Sequence, residues 1–105
     1  MISMDCNHPD IEEFIDAKNN IDELNGCNIS VQCDGKFIKN SPLMHKLAVN
    51  NWNVGEPGIL YWDNINSNTL MSEYIKNGEF SFAGVNPCAE QPLPAGGSCL
   101  LGAIN

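Results

Sequence analysis

The strongest constraint on this chain is the way its apolar periodicity keeps changing over the first sixty-two residues. Asn28 to Cys33 sets Ile29, Val31 and Cys33 against Ser30 and Gln32, a period of two that predicts a half-buried strand ended by Asp34-Gly35. Residues 1–6 alternate more loosely and predict a short strand. Ile59 to Trp62 is a compact apolar run that predicts a further strand. Between these lie two stretches at helical spacing. The first starts at His8-Pro9-Asp10, with Pro9 in the first helical turn, Asp10, Glu12 and Glu13 at the positive end of the helix dipole, and Ile11, Phe14 and Ile15 on one face. The second opens at Ser41-Pro42, places Leu43, Leu47 and Trp52 on its apolar side, and is broken by Gly55-Glu56-Pro57-Gly58.

Asn19-Asn20 and Asn25-Gly26 are turn signals, with Ile21 and Leu24 only weakly patterned between them. Asn64 to Asn77 predicts loop plus a short helix around Leu70 to Ile75. From Gly84 onward Pro87, Pro92, Pro94, Gly96 and Gly97 predict a loop with a constrained path, and Ser98 to Ile104 a final strand. Strand, helix, strand, helix, strand, loop, strand predicts an α/β layer. With 105 residues the chain is expected to form one small domain at most. It opens in a strand-like stretch and closes on apolar Leu101-Gly102-Ala103-Ile104-Asn105, so it is expected to be a piece of something larger.

Charge narrows the partners. Thirteen acidic residues against five basic ones give a net charge of -8, which disfavours nucleic acid and anionic membranes, although backbone N–H groups can still hold a small phosphate-bearing ligand. No apolar run approaches the roughly 20 residues needed to span a bilayer, and Met1 to Asp5 does not have the form of a signal peptide. The expectation is a cytoplasmic protein with reduced cysteines. There are five, Cys6, Cys27, Cys33, Cys88 and Cys99, an odd number that suits no closed disulfide framework. A zinc site from Cys6, His8, Cys27 and Cys33 lacks a short Cys-x-x-Cys knuckle. His8 reads as a helix-start residue, His45 as solvated, and Asp22-Glu23 with the first-helix acids as a solvated face. Trp52, Tyr61, Trp62, Phe80 and Phe82 read as core or interface residues.

One stretch carries chemistry. Gly84-Val85-Asn86-Pro87-Cys88-Ala89-Glu90-Gln91-Pro92-Leu93-Pro94 sets an amide, a thiol and a carboxylate at alternate positions. In an extended backbone Asn86, Cys88 and Glu90 would point to one side and face one ligand. Cys99 follows eleven residues after Cys88, beyond a Gly-rich turn able to fold it back. Spacing alone leaves a plain alternative open, in which Cys88 is a small hydrophobe among ordinary loop residues.

The literal residues resemble a known family. Asn86-Pro87-Cys88-x-Glu90-Gln91-Pro92-Leu93, followed by Gly97-Ser98-Cys99-x-Leu101-Gly102-x-Ile104-Asn105, is similar to the active-site segment of ribonucleotide reductase large chains. Asp5-x-x-His8-Pro9-Asp10-Ile11-Glu12-Glu13-Phe14-Ile15, Asn28-Ile29-Ser30-Val31 and Gly55-Glu56-Pro57-Gly58 resemble upstream segments of the same family, in the same order. Pro87, together with the short Cys88-to-Cys99 interval, makes the adenosylcobalamin-dependent class the better match. A radical from a separate metal-containing small subunit is the alternative.

The resemblance implies a partial segment of the family's ten-stranded α/β barrel, incomplete on its own, with residues 83–105 as the active-site loop and following strand. It implies a reductase of ribonucleoside di- or triphosphates acting by thiyl-radical chemistry. Cys88 matches the cysteine that becomes the thiyl radical and abstracts the ribose 3′ hydrogen. Glu90 matches the base for the 3′ hydroxyl, Asn86 the amide that binds the ribose hydroxyls and the glutamate, and Cys99 one of two thiols that reduce the 2′ carbon. Implied partners are a ribonucleotide, a thioredoxin-like or other dithiol reductant, and the rest of the reductase chain or an intact reductase. The chain also departs from the family. None of Cys6, Cys27 and Cys33 matches the second redox thiol, and the stretch from Phe37 to Met44 is shorter than the family pattern. A non-catalytic module that docks on an intact reductase through exposed strand edges is therefore the second reading.

Overall fold

In the computed structural model, which describes residues 1–20 and 24–105, the chain forms two compact units, Met1–Ile65 and Asn66–Asn105. Ile21 and the Asp22-Glu23 pair lie outside the described residues.

The first unit is a three-stranded parallel sheet in the order β1 (Ile2–Asp5), β2 (Ile29–Cys33), β3 (Gly58–Tyr61). Helix α1 (Ile11–Asp16) connects β1 to β2. Helices α2 (Gly35–Asn40) and α3 (Pro42–Val54) connect β2 to β3. The mixed α/β reading therefore holds for this unit. The register sets Met4, Val31 and Ile59 side by side across the sheet, and all three belong to the core, with Cys6, Ile11, Ile15, Cys33, Phe37 and Leu47.

Strand β2 departs from the half-buried expectation. Ile29, Ser30, Val31 and Cys33 are all buried, because β2 has a strand on either side and both its faces are covered. The polar residues of its second face find partners near the start of the chain: Gln32 Nε2 donates to Ser3 Oγ at 2.9 Å and Ser30 Oγ to Met1 Sδ at 3.6 Å.

Helix α1 begins at Ile11, so Pro9 precedes it in a turn and does not occupy its first turn. Asp34-Gly35 ends β2 as expected, and Asp34 also caps a helix the sequence reading did not anticipate. Its Oδ1 accepts the Phe37 N–H at 2.6 Å, and α2 follows at once. Ser41 caps α3 in the same way, accepting the Leu43 N–H at 3.2 Å, with Pro42 as the first helical residue. At the far end Gly55 takes φ +79°, the left-handed C-terminal conformation that glycine adopts without a Cβ clash.

Trp52 lies off the apolar side of α3 and is 89% exposed. Five residues after buried Leu47, it stands well round the helix from it. The inward position goes to Asn50, buried, whose Nδ2 donates to the Ile15 carbonyl at 2.9 Å and to Asp16 Oδ1 at 3.0 Å. Lys46 pairs with the same Asp16 and with Glu12, which ties α3 to α1. The Lys46 hydrogen bond, helped by Asn50, holds the Asp16 carboxyl below the usual carboxylate range against an opposing effect of burial.

In the second unit α5 (Ser72–Lys76) is the helix that the sequence placed at Leu70 to Ile75, and it excludes Leu70, which is fully exposed. It follows α4 (Trp62–Ser67), which occupies the stretch read mainly as loop. Phe80 and Phe82 meet edge to face at 5.1 Å between centroids. Strands β4 (Gly84–Val85) and β5 (Pro92–Leu93) form a two-stranded antiparallel ladder. The final strand expected at Ser98 to Ile104 does not form. Those residues are irregular, and Leu100, Leu101 and Ile104 are exposed, because no strand among the described residues pairs with them.

Candidate active site

The segment from Gly84 to Cys99 folds on itself within the second unit. Gly84 pairs with Leu93 and Val85 with Pro92, and the Ala83 N–H donates to the Leu93 carbonyl at 2.9 Å. The hairpin closes when the Asn86 N–H donates to the Gln91 carbonyl at 3.1 Å. At its tip the Ala89 N–H donates to the Asn86 carbonyl at 2.9 Å, a four-residue turn with Pro87 at its second position, where a fixed φ suits it. Ala89 itself adopts φ +64°.

This corrects the extended path expected for Asn86, Cys88 and Glu90. Pro87 initiates a turn, so the alternation argument for a shared side no longer applies. Cys88 and Glu90 are exposed on the turn, and Asn86 is buried at its base. A second turn follows β5. The Gly97 N–H donates to the Pro94 carbonyl at 3.0 Å, with Gly96 at φ +75° in the third position, where a positive φ is needed. As the Gly-rich composition suggested, this turn returns the chain: the Asn86 Nδ2 donates to Cys99 Sγ at 3.4 Å. Asn86 Oδ1 meanwhile accepts the Gln91 N–H at 3.0 Å. The Gln91 Oε1 is buried without a hydrogen-bond partner among the described residues. Asn86, the one buried member of the group, thus touches both the loop that carries Cys88 and the thiol of Cys99.

All five cysteines are free thiols, in contrasting surroundings. Burial pushes the Cys6 thiol up, and burial pushes Cys33 up to about 12. Cys88 and Cys99 are exposed. The thiolate is the reactive form, so a brief pulse of N-ethylmaleimide at neutral pH is expected to label Cys88 and Cys99 and to spare Cys6 and Cys33. Peptide mass mapping reads the result, and early labelling of Cys33 would contradict it. Among the described residues no group of three or more His, Cys, Asp or Glu is placed to hold a metal ion, so Cys6, His8 and Cys33 do not assemble with Cys27 as a zinc set. No helix among the described residues is long and apolar enough to cross a membrane.

The parallel α/β layer is consistent with comparison to known proteins. The family model described as "Ribonucleotide reductase, barrel domain" matches residues 28–105, and the chain belongs to that family. Among curated proteins the chain is 31% identical, over 129 aligned positions, to the "Vitamin B12-dependent ribonucleoside-diphosphate reductase" of Thermoplasma acidophilum. The match covers 97% of this chain and 16% of that protein, so the chain spans about a sixth of the relative's length. The alignment is longer than the chain's own 105 residues, so the relative carries additional residues within the same span. No solved structure matches the chain.

Proposed function

We propose that this chain supplies the radical-loop segment of a cobalamin-dependent ribonucleotide reductase, with Cys88 as the residue that takes the ribose 3′ hydrogen. The observation that carries the reading is the conjunction of family membership over residues 28–105 with a tight hairpin that holds Cys88 exposed at its tip. An S–H bond is weak enough to exchange a hydrogen atom with a ribose C–H, so a thiol presented on a turn suits hydrogen abstraction.

Glu90, two residues on and also exposed, is positioned by sequence to take the 3′ hydroxyl proton as a general base. Cys99 delivers reducing equivalents to the 2′ carbon, paired with a second thiol that this chain does not supply. Asn86 keeps one Nδ2–H and one Oδ1 lone pair beyond its two internal bonds, enough to hold a ribose hydroxyl.

The exposure of Cys88 fits a thiol that a radical source approaches from outside the loop, and no residue of this chain is assigned to hold the cofactor. Adenosylcobalamin, when bound, supplies the initiating radical by homolysis of its Co–C bond. The substrate is a ribonucleoside di- or triphosphate, the reductant a dithiol of thioredoxin type, and the remaining partner the rest of a reductase chain or an intact reductase.

The test is a pair of assays. The isolated chain, given adenosylcobalamin and a dithiol, is expected to form no deoxynucleotide, because the second redox thiol is missing. A chimera carrying residues 84–105 in place of the matching segment of the Thermoplasma acidophilum protein is expected to form it. An inert chimera that folds and binds ribonucleotide would count against the reading.

A further inference from the structure

We infer that Asn86 is a positioning residue that clamps Cys99 to the Cys88 hairpin, so that the reducing thiol and the radical loop move as one piece. The role as reductase positioner rests on the function proposed above. The clamp itself rests only on geometry.

An asparagine amide offers two N–H donors and two acceptor lone pairs. Asn86 is 6% exposed, so the two bonds its amide makes within the protein are shielded from exchange with water. One lone pair accepts the Gln91 N–H at 3.0 Å, and one N–H donates to Cys99 Sγ at 3.4 Å. Its backbone makes two more bonds, donating to the Gln91 carbonyl and accepting from the Ala89 N–H. The side chain therefore has a fixed orientation. Cys99 sits on an irregular, exposed stretch that belongs to no ladder. Among the described residues, the hydrogen bond from Asn86 alone ties its sulfur to the hairpin.

Each half of the clamp can be removed separately. Asn86→Asp keeps an oxygen to accept the Gln91 N–H and replaces the donor that faces the sulfur with a second oxygen. Cys99→Ala removes the acceptor and leaves Asn86 intact. Cys99→Ser keeps an acceptor in nearly the same place.

The experiment is NMR on the full 105-residue chain. It follows the two side-chain Nδ2 protons of Asn86, with the backbone amide of Gln91 as a control for the hairpin. In the wild-type chain the Nδ2 protons should be well separated in shift, with one exchanging with solvent several-fold more slowly than the other. Cys99→Ala should abolish that slow exchange while Gln91 stays protected, Cys99→Ser should largely retain it, and Cys88→Ala should leave it unchanged. Asn86→Asp should preserve Gln91 protection and increase the mobility of the Cys99 amide. Loss of Gln91 protection in Cys99→Ala would contradict the clamp as drawn, since the Gln91 bond to Asn86 does not involve the thiol. Nδ2 protons that exchange alike in the wild-type chain, or that ignore Cys99→Ala, would overturn the clamp. A retained clamp with an inert chimera would sink the reductase reading alone, and an active chimera with no clamp would sink this inference alone.

Discussion

Cys88→Ser in the active chimera is expected to reduce deoxynucleotide formation by at least about 10⁴-fold, the scale on which rates fall when the reacting group itself is removed. The substitution changes little in volume at an exposed turn position, so folding should be preserved. What changes is the bond: a hydroxyl's O–H is too strong for its radical to be reached from the same source. The neighbouring residues should fail differently. Glu90→Gln keeps shape and much of the hydrogen bonding but removes the base, with an expected loss of about 10²–10⁴-fold. Cys99→Ser should still permit hydrogen abstraction at the 3′ position and block reduction at the 2′ carbon, so substrate decomposes in place of product. If these residues were only structural, the three variants would instead show mild and similar losses of stability, within about 0.5–3 kcal/mol. Steady-state product formation, with substrate breakdown followed by chromatography, separates the outcomes.

The second large effect concerns the sheet unit. Leu47→Ala is expected to destabilise Met1–Ile65 by about 2–5 kcal/mol, because Leu47 is fully buried against the strands and helices of one small core. Domains are stable by only about 5–15 kcal/mol, and a unit this small belongs at the low end, so the substitution should remove a large share of its stability. Trp52→Ala on the same helix removes a larger side chain and should change stability by no more than about 0.5 kcal/mol, since Trp52 is 89% exposed. Urea unfolding followed by far-UV circular dichroism gives both values. A Trp52 effect as large as that of Leu47 would mean that α3 packs through a different face.

The contrast between Leu47 and Trp52 also shows where sequence reading reached its limit. Alternation located β1 and β2, a compact apolar run located β3, and Ser41-Pro42 with Gly55 bounded α3 almost to the residue, because caps, alternation and apolar runs are written in neighbouring side chains. Which helical face turns inward depends on what it meets. The inward place at Asn50 is explained by the Ile15 carbonyl and Asp16, thirty-odd residues away. Asp34-Gly35 is ambiguous in the same way: as a turn signal it ends β2, and as a cap it starts α2.

At the candidate site the balance was reversed. The identity of Asn86, Cys88, Glu90 and Cys99 came from a literal motif, which lies within the residues that the family model matches. Their arrangement did not follow from alternation, because Pro87 sets a turn where an extended strand was expected. The Gly-rich return of Cys99 was legible, but its contact with Asn86 was not, since hydrogen-bond partners thirteen residues apart leave no periodic trace. The apolar pattern of Leu100, Leu101 and Ile104 looked like a strand, yet a strand needs a partner to pair with.

The most direct test of the central claim is the kinetic isotope effect on deoxynucleotide formation by the chimera, with ribonucleotide deuterated at the 3′ carbon. If Cys88 takes the 3′ hydrogen, the deuterated substrate should react measurably more slowly under conditions where chemistry limits the rate, and Cys88→Ser should eliminate turnover of both substrates. Product formed at equal rates from the two substrates in single-turnover assays, or persisting in Cys88→Ser, would contradict the assignment of the radical to this residue.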